Sequence, residues 1–390
     1  MPGPLSEFLV EPISSVRDRE RSAFEETLRT HGNRVVVFGC GGLGRRAIER
    51  LANLGVRPIA LCDNNQSLWG TEIQGIQVLS VAQAAAQFGG DALFLIAVWN
   101  PGHWYYETAQ QLEAAGARSV VSFLQLFWRF PENLLPFPYL NALPTGVYQA
   151  IDEVLAAEKF WTDPVSLSVY RANILWRALG RPEFMPVRPQ ENTYFPRDIF
   201  SPAADECLID CGAYDGDTVR MFLDRYGSDF HAIYCIEGEM TASQRLSSYV
   251  ARLPPEIGRK IHPLRCAVGA TRGTVRFDGD GVTGAKIEGP DSELEVECLP
   301  VDDLPIAERI TIIKMDIEGA EYDALLGARG RILKDRPILA ICVYHTQNDI
   351  WRIPLLIREL LPEHRLYLRG YEGDGFQTVL YAVPPDRALL

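Results

Sequence analysis

The sequence lacks the features that mark several protein classes. No apolar run approaches the roughly 20 residues that a membrane helix needs, so no membrane span is predicted. No tract is of low complexity, and 47% of the 390 residues are hydrophobic, which is typical of a globular chain. Positive charge is in deficit, since 38 Lys and Arg face 51 acidic residues and give a net charge of −13. This balance argues against nucleic-acid binding and favours a small or neutral substrate.

Eight cysteines are present, but their distribution indicates neither a disulfide framework nor a metal site. Most lie within or at the end of apolar strand-like runs, as buried thiols do. Cys207 and Cys211 have a spacing that suggests a metal pair, yet no second pair of Cys or His completes a site. The N-terminus shows no basic segment followed by an apolar core, so we expect no signal peptide. Together these observations predict a soluble, cytoplasmic protein.

The chain is long for one domain, and its patterns divide into two α/β parts. Strand-like and helical stretches alternate over 33–122, which predicts a Rossmann-like domain with about four parallel strands. Strand-like and helical stretches alternate again over 205–390. The last two strand-like runs there flank an EGDG turn, which predicts an antiparallel strand. Residues 1–32 are predicted as an N-terminal helical segment. Residues 123–204, with two helical stretches between prolines, are predicted as a helical bridge.

A glycine-rich turn opens the first α/β part. The sequence VVVFGCGGLG contains Gly39-x-Gly41-x-x-Gly44 between a predicted strand and a predicted helix, a spacing that brings backbone close to a nucleotide. Asp63 lies near the spacing at which an acidic residue meets the ribose of NAD. A hydride-transfer enzyme also needs acid or base groups nearby, and His103 is the only histidine between 65 and 125. An NAD(P)-dependent oxidoreductase and a mere packing or dimerisation role both stay open as alternatives.

The second α/β part opens on a loop of different chemistry, IDCGAYDGDT at 209–218. A ligand should lie beside such a strand-to-helix loop. Asp210 and Asp215 suit the ammonium of an amino acid better than a pyrophosphate. At the end of the next strand, Glu237 can accept hydrogen bonds from two ribose hydroxyls. A ligand with adenosine, a cationic amino-acid tail and no phosphate is S-adenosyl-L-methionine, although each carboxylate could also be a simple helix cap.

These motifs resemble those of the FkbM family of S-adenosylmethionine-dependent methyltransferases. The resemblance covers roughly 190–383 and rests on IDCGAYDGDT, IE, AVG, CLPVDDL and above all IKMDIEGAE at 313–321. It implies a class I methyltransferase fold, with a seven-stranded sheet and one antiparallel strand, and O-methylation of a sugar, glycan or secondary-metabolite hydroxyl. The chain departs from the family at Gly238, where proline is more usual. The predicted cofactor-binding residues are Asp210, Gly212, Tyr214, Asp215, Gly216, Thr218, Glu237 and Ala267.

The strand ITIIKMD places Lys314 and Asp316 on one face, at the end that points toward the cofactor. Methyl transfer to an alcohol needs alignment of oxygen, methyl and sulfur, and a group that takes the hydroxyl proton. His345 ends the following strand, so Asp316, His345 and Lys314 are the predicted catalytic residues. In the alternative, Asp316 caps a helix that has Glu318 and Glu321 in its first turn, Lys314 only pairs with acids, and His345 is structural. The spacing of these acids permits a divalent ion but does not require one.

The first α/β part resembles the nucleotide-sugar-binding domain of sugar acyltransferases of the PglD type. The resemblance covers about 33–122 and rests on the glycine loop, the Asp-Asn pair and a G-I-x-V element in that order. It implies a second nucleotide site formed by Gly39, Gly41, Gly42, Gly44, Asp63 and Asn64. A non-catalytic nucleotide-sugar-binding protein is therefore a further alternative. Tyr194 and Phe195, just before the second domain, are expected either to cover cofactor or acceptor or to pack the linker. The sequence leaves the acceptor and the oligomeric state, including a homo-oligomer, open.

Overall fold

The computed structural model describes residues 3–135, 139–184, 193–277 and 294–389. The chain folds as two compact units. Unit 1 comprises Met1–Leu155, Ser168–Arg188 and Glu372–Phe376, and unit 2 comprises Ala156–Leu167, Pro189–Tyr371 and Gln377–Leu390. The segment 123–204, which we predicted as a bridge, is therefore divided between the two units.

Unit 1 is built on a six-stranded sheet. Its strands are β1 (Val35–Phe38), β2 (Ala60–Cys62), β3 (Glu72–Ile73), β4 (Ile76–Leu79), β5 (Leu93–Ile96) and β6 (Val120–Ser122). They lie in the order β3-β4-β2-β1-β5-β6, and every pair is parallel except β3 with β4. The central strands β1 and β5 are buried at every residue, as continuous apolar runs predict. The sequence predicted only about four strands, because β3 and β4 are too short to show a period.

The helices of the chain up to Leu179 are given in chain order. They are α1 (Leu5–Phe8), α2 (Ile13–Thr30), α3 (Gly42–Asn53), α4 (Val81–Phe88), α5 (Tyr105–Ala115), α6 (Leu124–Arg129), α7 (Pro144–Gln149), α8 (Ile151–Ala157) and α9 (Pro164–Leu179). The helix α2 buries Val16, Phe24 and Leu28 on one face and packs against α6 and α7. The short helix α6 was not predicted, because six residues give no clear helical period.

Unit 2 is built on a larger sheet and a smaller one. Its strands are β7 (Cys207–Cys211), β8 (Ala232–Ile236), β9 (Ile261–Leu264), β10 (Ala267–Val268), β11 (Gly273–Phe277), β12 (Leu294–Leu299), β13 (Ile312–Met315), β14 (Ile338–Cys342), β15 (Arg365–Gly370) and β16 (Thr378–Val383). Seven of them form a sheet in the order β15-β16-β14-β13-β7-β8-β9. Only β16 runs antiparallel to its neighbours. The predicted seven-stranded sheet with one antiparallel strand is thus confirmed.

The smaller sheet has the order β10-β12-β11, with β10 parallel and β11 antiparallel to β12. From its sequence the run at 260–268 resembles one strand, but the structure divides it between β9 and β10. The chain turns after β9, where the N–H of Cys266 donates to the carbonyl of Leu264 at 3.2 Å. Ala267, a predicted cofactor residue, therefore lies in the small sheet and pairs with Cys298.

The helices of unit 2 are α10 (Asp217–Tyr226), α11 (Met240–Val250), α12 (Pro255–Gly258), α13 (Glu321–Gly327), α14 (Arg329–Asp335) and α15 (Asp349–Leu360). All eight cysteines of the chain are buried, as their apolar surroundings predicted. Among the described residues, no helix combines the length and the apolar character that a membrane span needs.

A buried ion pair explains why residues 156–167 belong to unit 2. Arg369 of β15 is 1% exposed and lies 2.6 Å from Asp163 and 3.0 Å from Asp198. Its guanidinium also donates to the hydroxyl of Ser166 at 2.8 Å. A buried cation needs such partners, so the segment around Asp163 is held to β15 instead of serving as a free linker.

Candidate active site

The loop between β7 and α10 is pressed against the neighbouring strands. Gly212 has a φ of +80°, and a Cβ at this position would lie 1.9 Å from the carbonyl oxygen of Asp316. The N–H groups of Gly212 and Ala213 both donate to the carbonyl of Ile236 at 3.0 Å. Gly216 has a φ of +91° at the N-cap of α10. Glycine at 212 is therefore required by close approach as well as by backbone conformation.

Glu237 ties this loop to the end of β8. One carboxylate oxygen accepts from the N–H of Tyr214 at 2.9 Å, and the other accepts from the N–H of Glu239 at 2.8 Å. Burial raises the pKa of Glu237, and these two backbone hydrogen bonds oppose the rise. Each carboxylate oxygen has a further lone pair, so Glu237 can still accept hydrogen bonds from a ligand.

Asp210 and Lys314 form a buried ion pair. The Lys314 Nζ lies 3.0 Å from Asp210 Oδ1, and the two side chains are 2% and 0% exposed. The ammonium also donates to the carbonyl of Gly212 at 2.8 Å. Burial lowers the pKa of Lys314, but the charges of Asp210 and Asp316 outweigh burial and hold it above its ordinary value. Burial raises the pKa of Asp210 to about 7, although Lys314 opposes the rise. The Lys314 ammonium is therefore held between the Asp210 carboxylate and the Gly212 carbonyl.

Of the remaining predicted cofactor residues, three lie in or next to the loop after β7 and one lies elsewhere. Tyr214, in the loop after β7, has a φ of +45°, and its N–H donates to Glu237. The carboxylate of Asp215 pairs with Arg220 of α10 and is 34% exposed. Thr218 is fully buried in the first turn of α10. The structure thus gathers these residues at the loop after β7, whereas Ala267 lies in the small sheet.

Asp316 follows β13 and is the focus of a hydrogen-bond network. Its Oδ2 accepts from the Tyr194 hydroxyl at 2.6 Å, and its Oδ1 lies 3.2 Å from His345 Nε2 and 3.4 Å from the Tyr344 hydroxyl. Burial raises the pKa of Asp316, but His345, Lys314 and Tyr194 together hold it below its ordinary value. The side chain remains 25% exposed. Asp316 is therefore an ionised carboxylate that a ligand can reach.

His345 is held between carboxylates. Its Nδ1 lies 2.7 Å from Glu321 Oε1, and the imidazole and Glu321 are both 0% exposed. Burial lowers the pKa of His345, but Glu321 and Asp316 outweigh burial and raise it well above its ordinary value. The imidazole therefore lies between two carboxylates, with Nε2 toward Asp316 and Nδ1 toward Glu321.

The turn after β13 has backbone N–H groups that a side chain must satisfy, and the sequence left open whether Asp316 caps the helix that follows. Ala320 occupies the N-cap of α13. The Glu321 carboxylate accepts from the N–H of Ile317 at 2.7 Å and from the N–H of Gly319 at 3.0 Å. Glu321, and not Asp316, satisfies the backbone of this turn.

Tyr194, which the sequence left open between covering the cofactor or acceptor and packing the linker, contacts Asp316. Its ring centroid lies 5.0 Å from Lys314 Nζ, and its N–H donates to the Tyr381 hydroxyl at 3.0 Å. Tyr194 has a φ of +65° and is 4% exposed. The sequence signalled only an aromatic pair before the domain. No local pattern shows that this tyrosine reaches Asp316, 122 residues away.

The glycine loop of unit 1 has a similar tight geometry. Gly39 has a φ of +100°, and a Cβ on Gly44 would lie 1.8 Å from the Gly39 carbonyl oxygen. Gly41 is the N-cap of α3, and a Cβ there would meet no heavy atom of the described residues within 4 Å; Gly42 follows as the first residue of the helix. The start of α3 is therefore open to a ligand at Gly41.

The polar residues after β2 are engaged within unit 1. The Asp63 carboxylate accepts from the N–H of Cys40 at 2.7 Å and from the N–H of Asn65 at 2.8 Å. The side-chain amides of Asn64 and Gln111 exchange two hydrogen bonds of 3.0 and 2.9 Å. Asp63 thus closes the glycine loop onto the neighbouring strand, while Asn64 points to α5.

The comparisons with known proteins agree with the geometry of unit 2. Residues 210–373 match the family described as Methyltransferase FkbM domain. This part of the chain is therefore similar to FkbM methyltransferase domains. The match contains the loop after β7, Glu237, Asp316 and His345. No curated protein matches the chain.

Solved structures add evidence on the fold. Methyltransferase FkbM from Methylobacillus flagellatus KT is 22% identical, with a TM-score of 0.74 over 95% of this chain and 98% of that chain. This chain shares the fold of that protein. Fibrillarin from Aeropyrum pernix, solved with natively bound S-adenosyl-L-methionine, is 14% identical, with a TM-score of 0.27 over 46% of this chain and 66% of that chain. So low a TM-score carries no argument. The resemblance of unit 1 to the PglD-type domain stays a prediction.

The contact between Gly212 and Asp316 generates a test of the site's architecture. Gly212→Ala should lower the free energy of unfolding by about 3 kcal/mol or more, because its Cβ would overlap the Asp316 carbonyl and alanine disfavours positive φ. Gly273→Ala is the control, since the space around Gly273 is open and its φ is not positive. We expect a change within about 0.5 kcal/mol there. Equal losses in urea denaturation of the two variants would contradict the close contact.

Proposed function

We propose that the FkbM domain transfers a methyl group from S-adenosyl-L-methionine to a hydroxyl oxygen of a sugar, glycan or small secondary metabolite. One observation carries the proposal. The segments that follow β7, β8 and β13 meet at one edge of the sheet, where Gly212 touches the Asp316 backbone and Tyr214 donates to Glu237. Ligands of open α/β sheets bind outside the carboxyl ends of the strands. The family match supports methyl transfer at this edge.

In this proposal, Glu237 binds the ribose of the cofactor. Its two oxygens are fixed by the N–H groups of Tyr214 and Glu239, so the carboxylate is oriented before the ligand arrives. Asp210 has a different role from the one its sequence position suggested. It is fully buried against Lys314, and it acts by holding the Lys314 ammonium on the Gly212 carbonyl.

Asp316 receives the proton of the acceptor. S-adenosyl-L-methionine, when bound, would supply the methyl group: the hydroxyl oxygen would bond to the methyl carbon as the bond from that carbon to sulfur broke, and S-adenosylhomocysteine would leave. The hydroxyl proton passes to Asp316 and then to water. A carboxylate with a low pKa is a weak base, so the proton leaves the oxygen only as the new bond forms. His345 and Tyr194 fix the direction of the carboxylate, which serves the alignment that methyl transfer needs.

The affinity for S-adenosylhomocysteine distinguishes the proposed role of Glu237 from that of Asp316. We expect Glu237→Gln to weaken binding about 10- to 100-fold, because each lost charged hydrogen bond costs about 1.5–3 kcal/mol. Asp316→Asn should change the affinity less than about threefold, since Asp316 faces the acceptor. Isothermal titration calorimetry measures both.

The exposed Glu256 of α12 provides the matched control Glu256→Gln, which should bind like the parent. A parent that fails to bind S-adenosylhomocysteine, or a Glu237→Gln variant that binds it as tightly as Glu256→Gln, would refute the proposed cofactor site.

We also propose that the glycine loop of unit 1 binds a nucleotide sugar. The observation in favour is the open start of α3. Gly41 provides no side-chain cap there, and a Cβ added to it would meet no heavy atom of the described residues within 4 Å. Backbone N–H groups at a helix start attract phosphate. The sugar moiety rests on the resemblance to the PglD-type domain.

Gly41→Val tests this second site. The backbone of Gly41, with φ −74° and ψ −164°, suits valine, so the fold should persist while the side chain fills the open space. We expect at least a tenfold loss in affinity for uridine diphosphate glucose by calorimetry. Gly90→Ala, also in open space in unit 1, should bind normally. Equal affinity of the Gly41 variant and parent, or tighter binding of NADH, would contradict the proposal, and the latter would favour an oxidoreductase.

A further inference from the structure

Three acidic side chains converge on the imidazole of His345. On one side of the ring, Nδ1 lies 2.7 Å from Glu321 Oε1. On the other side, Nε2 lies 3.2 Å from Asp316 Oδ1 and 3.8 Å from Glu318 Oε2. The ligand atoms of Asp316, Glu321 and His345 all lie within 4.8 Å of one another. The arrangement thus has a nitrogen and two oxygens on the side of Nε2, and a carboxylate behind the ring.

The spacing on the Nε2 side is that of atoms around one cation. Nitrogen and oxygen ligands bind divalent metals at about 2.0–2.2 Å, so neighbouring ligands lie about 3.0–3.6 Å apart. The separations of Nε2 from Asp316 and Glu318 are close to this range. A carboxylate on the far nitrogen of a metal-bound histidine is the usual way in which proteins orient that ligand, and Glu321 occupies that position.

A second observation is a further buried carboxylate beside this group. Asp349, the first residue of α15, is 2% exposed and interacts electrostatically with Glu321 and His345. Its Oδ2 has no hydrogen-bond partner in the part of the chain that the structure describes. Lys314 is already paired with Asp210, and Arg352 offsets part of the charge of Asp349. Asp349 thus adds a buried carboxylate oxygen without a hydrogen-bond partner, among the described residues, next to Glu321 and His345.

We propose that Asp316, Glu318 and His345 bind a divalent cation, with Glu321 as the positioning residue of the histidine. The cation takes the place of the proton on Nε2, because a histidine that binds a metal is neutral. One nitrogen and two carboxylates suit Mn²⁺, Mg²⁺ or Zn²⁺. Asp316 and Glu318 are 25% and 21% exposed, so water and an acceptor can reach the same place. The consequence for catalysis rests on the proposed function: a cation beside Asp316 lowers the pKa of the acceptor hydroxyl.

Mn²⁺ is the probe for this site. The full chain, without cofactor, is titrated with MnCl₂, and free Mn²⁺ is measured by electron paramagnetic resonance. We expect one saturable site per chain and at least tenfold weaker binding in Glu318→Gln. This partly exposed residue can be changed with little risk to folding. His345→Gln should lose the site altogether, and Glu256→Gln should retain it.

Two outcomes overturn the proposal. One is the absence of saturable Mn²⁺ binding together with failure of Zn²⁺ and Mg²⁺ to bind in calorimetry. The other is Mn²⁺ binding that is unchanged in Glu318→Gln and His345→Gln, since the ion would then lie elsewhere. A parallel titration with S-adenosylhomocysteine in EDTA separates the two proposals. Cofactor binding without a cation site refutes only this inference, and a cation site without cofactor binding refutes only the proposed function.

Discussion

The buried ion pair between Asp210 and Lys314 holds together the parts of unit 2 on which the candidate site depends. The two residues are register partners on β7 and β13, and Lys314 also binds the carbonyl of Gly212. Breaking such a pair typically costs about 3–5 kcal/mol, because the remaining charge is left buried. The pair therefore fixes the loop after β7 beside Asp316. That placement brings Tyr214 to Glu237.

A second network sets the protonation of the site. Tyr194 donates to Asp316, and His345 lies between Asp316 and Glu321. The imidazole is buried with two carboxylates, so its pKa is raised and that of Asp316 is lowered. Asp316 is thus oriented by Tyr194 and His345, and part of its carboxylate stays exposed. Such preorganisation suits a reaction that depends on alignment more than on a strong base.

Much of unit 2 could be predicted from sequence, because its central strands are continuous apolar runs that end in chemically distinctive residues. Strands β7, β8, β13 and β14 carry Asp210, Glu237, Asp316 and His345 at or just beyond their carboxyl ends, so parallel pairing brings these residues to one edge. Short strands such as β3 and β10 show no period, and they were missed or merged. The partner of Asp210 and the contact of Tyr194 with Asp316 could not be predicted. They depend on side chains about 100 residues apart in sequence.

The central claim is that the carboxyl edge of β7, β8 and β13 binds S-adenosyl-L-methionine with its methyl group toward Asp316. A crystal structure of the full chain with S-adenosylhomocysteine tests it most directly. The account predicts the ribose hydroxyls within about 2.6–3.2 Å of the Glu237 carboxylate, and the sulfur facing the exposed side of Asp316. S-adenosylhomocysteine bound at the glycine loop of unit 1, or in unit 2 with its ribose away from Glu237, would contradict it.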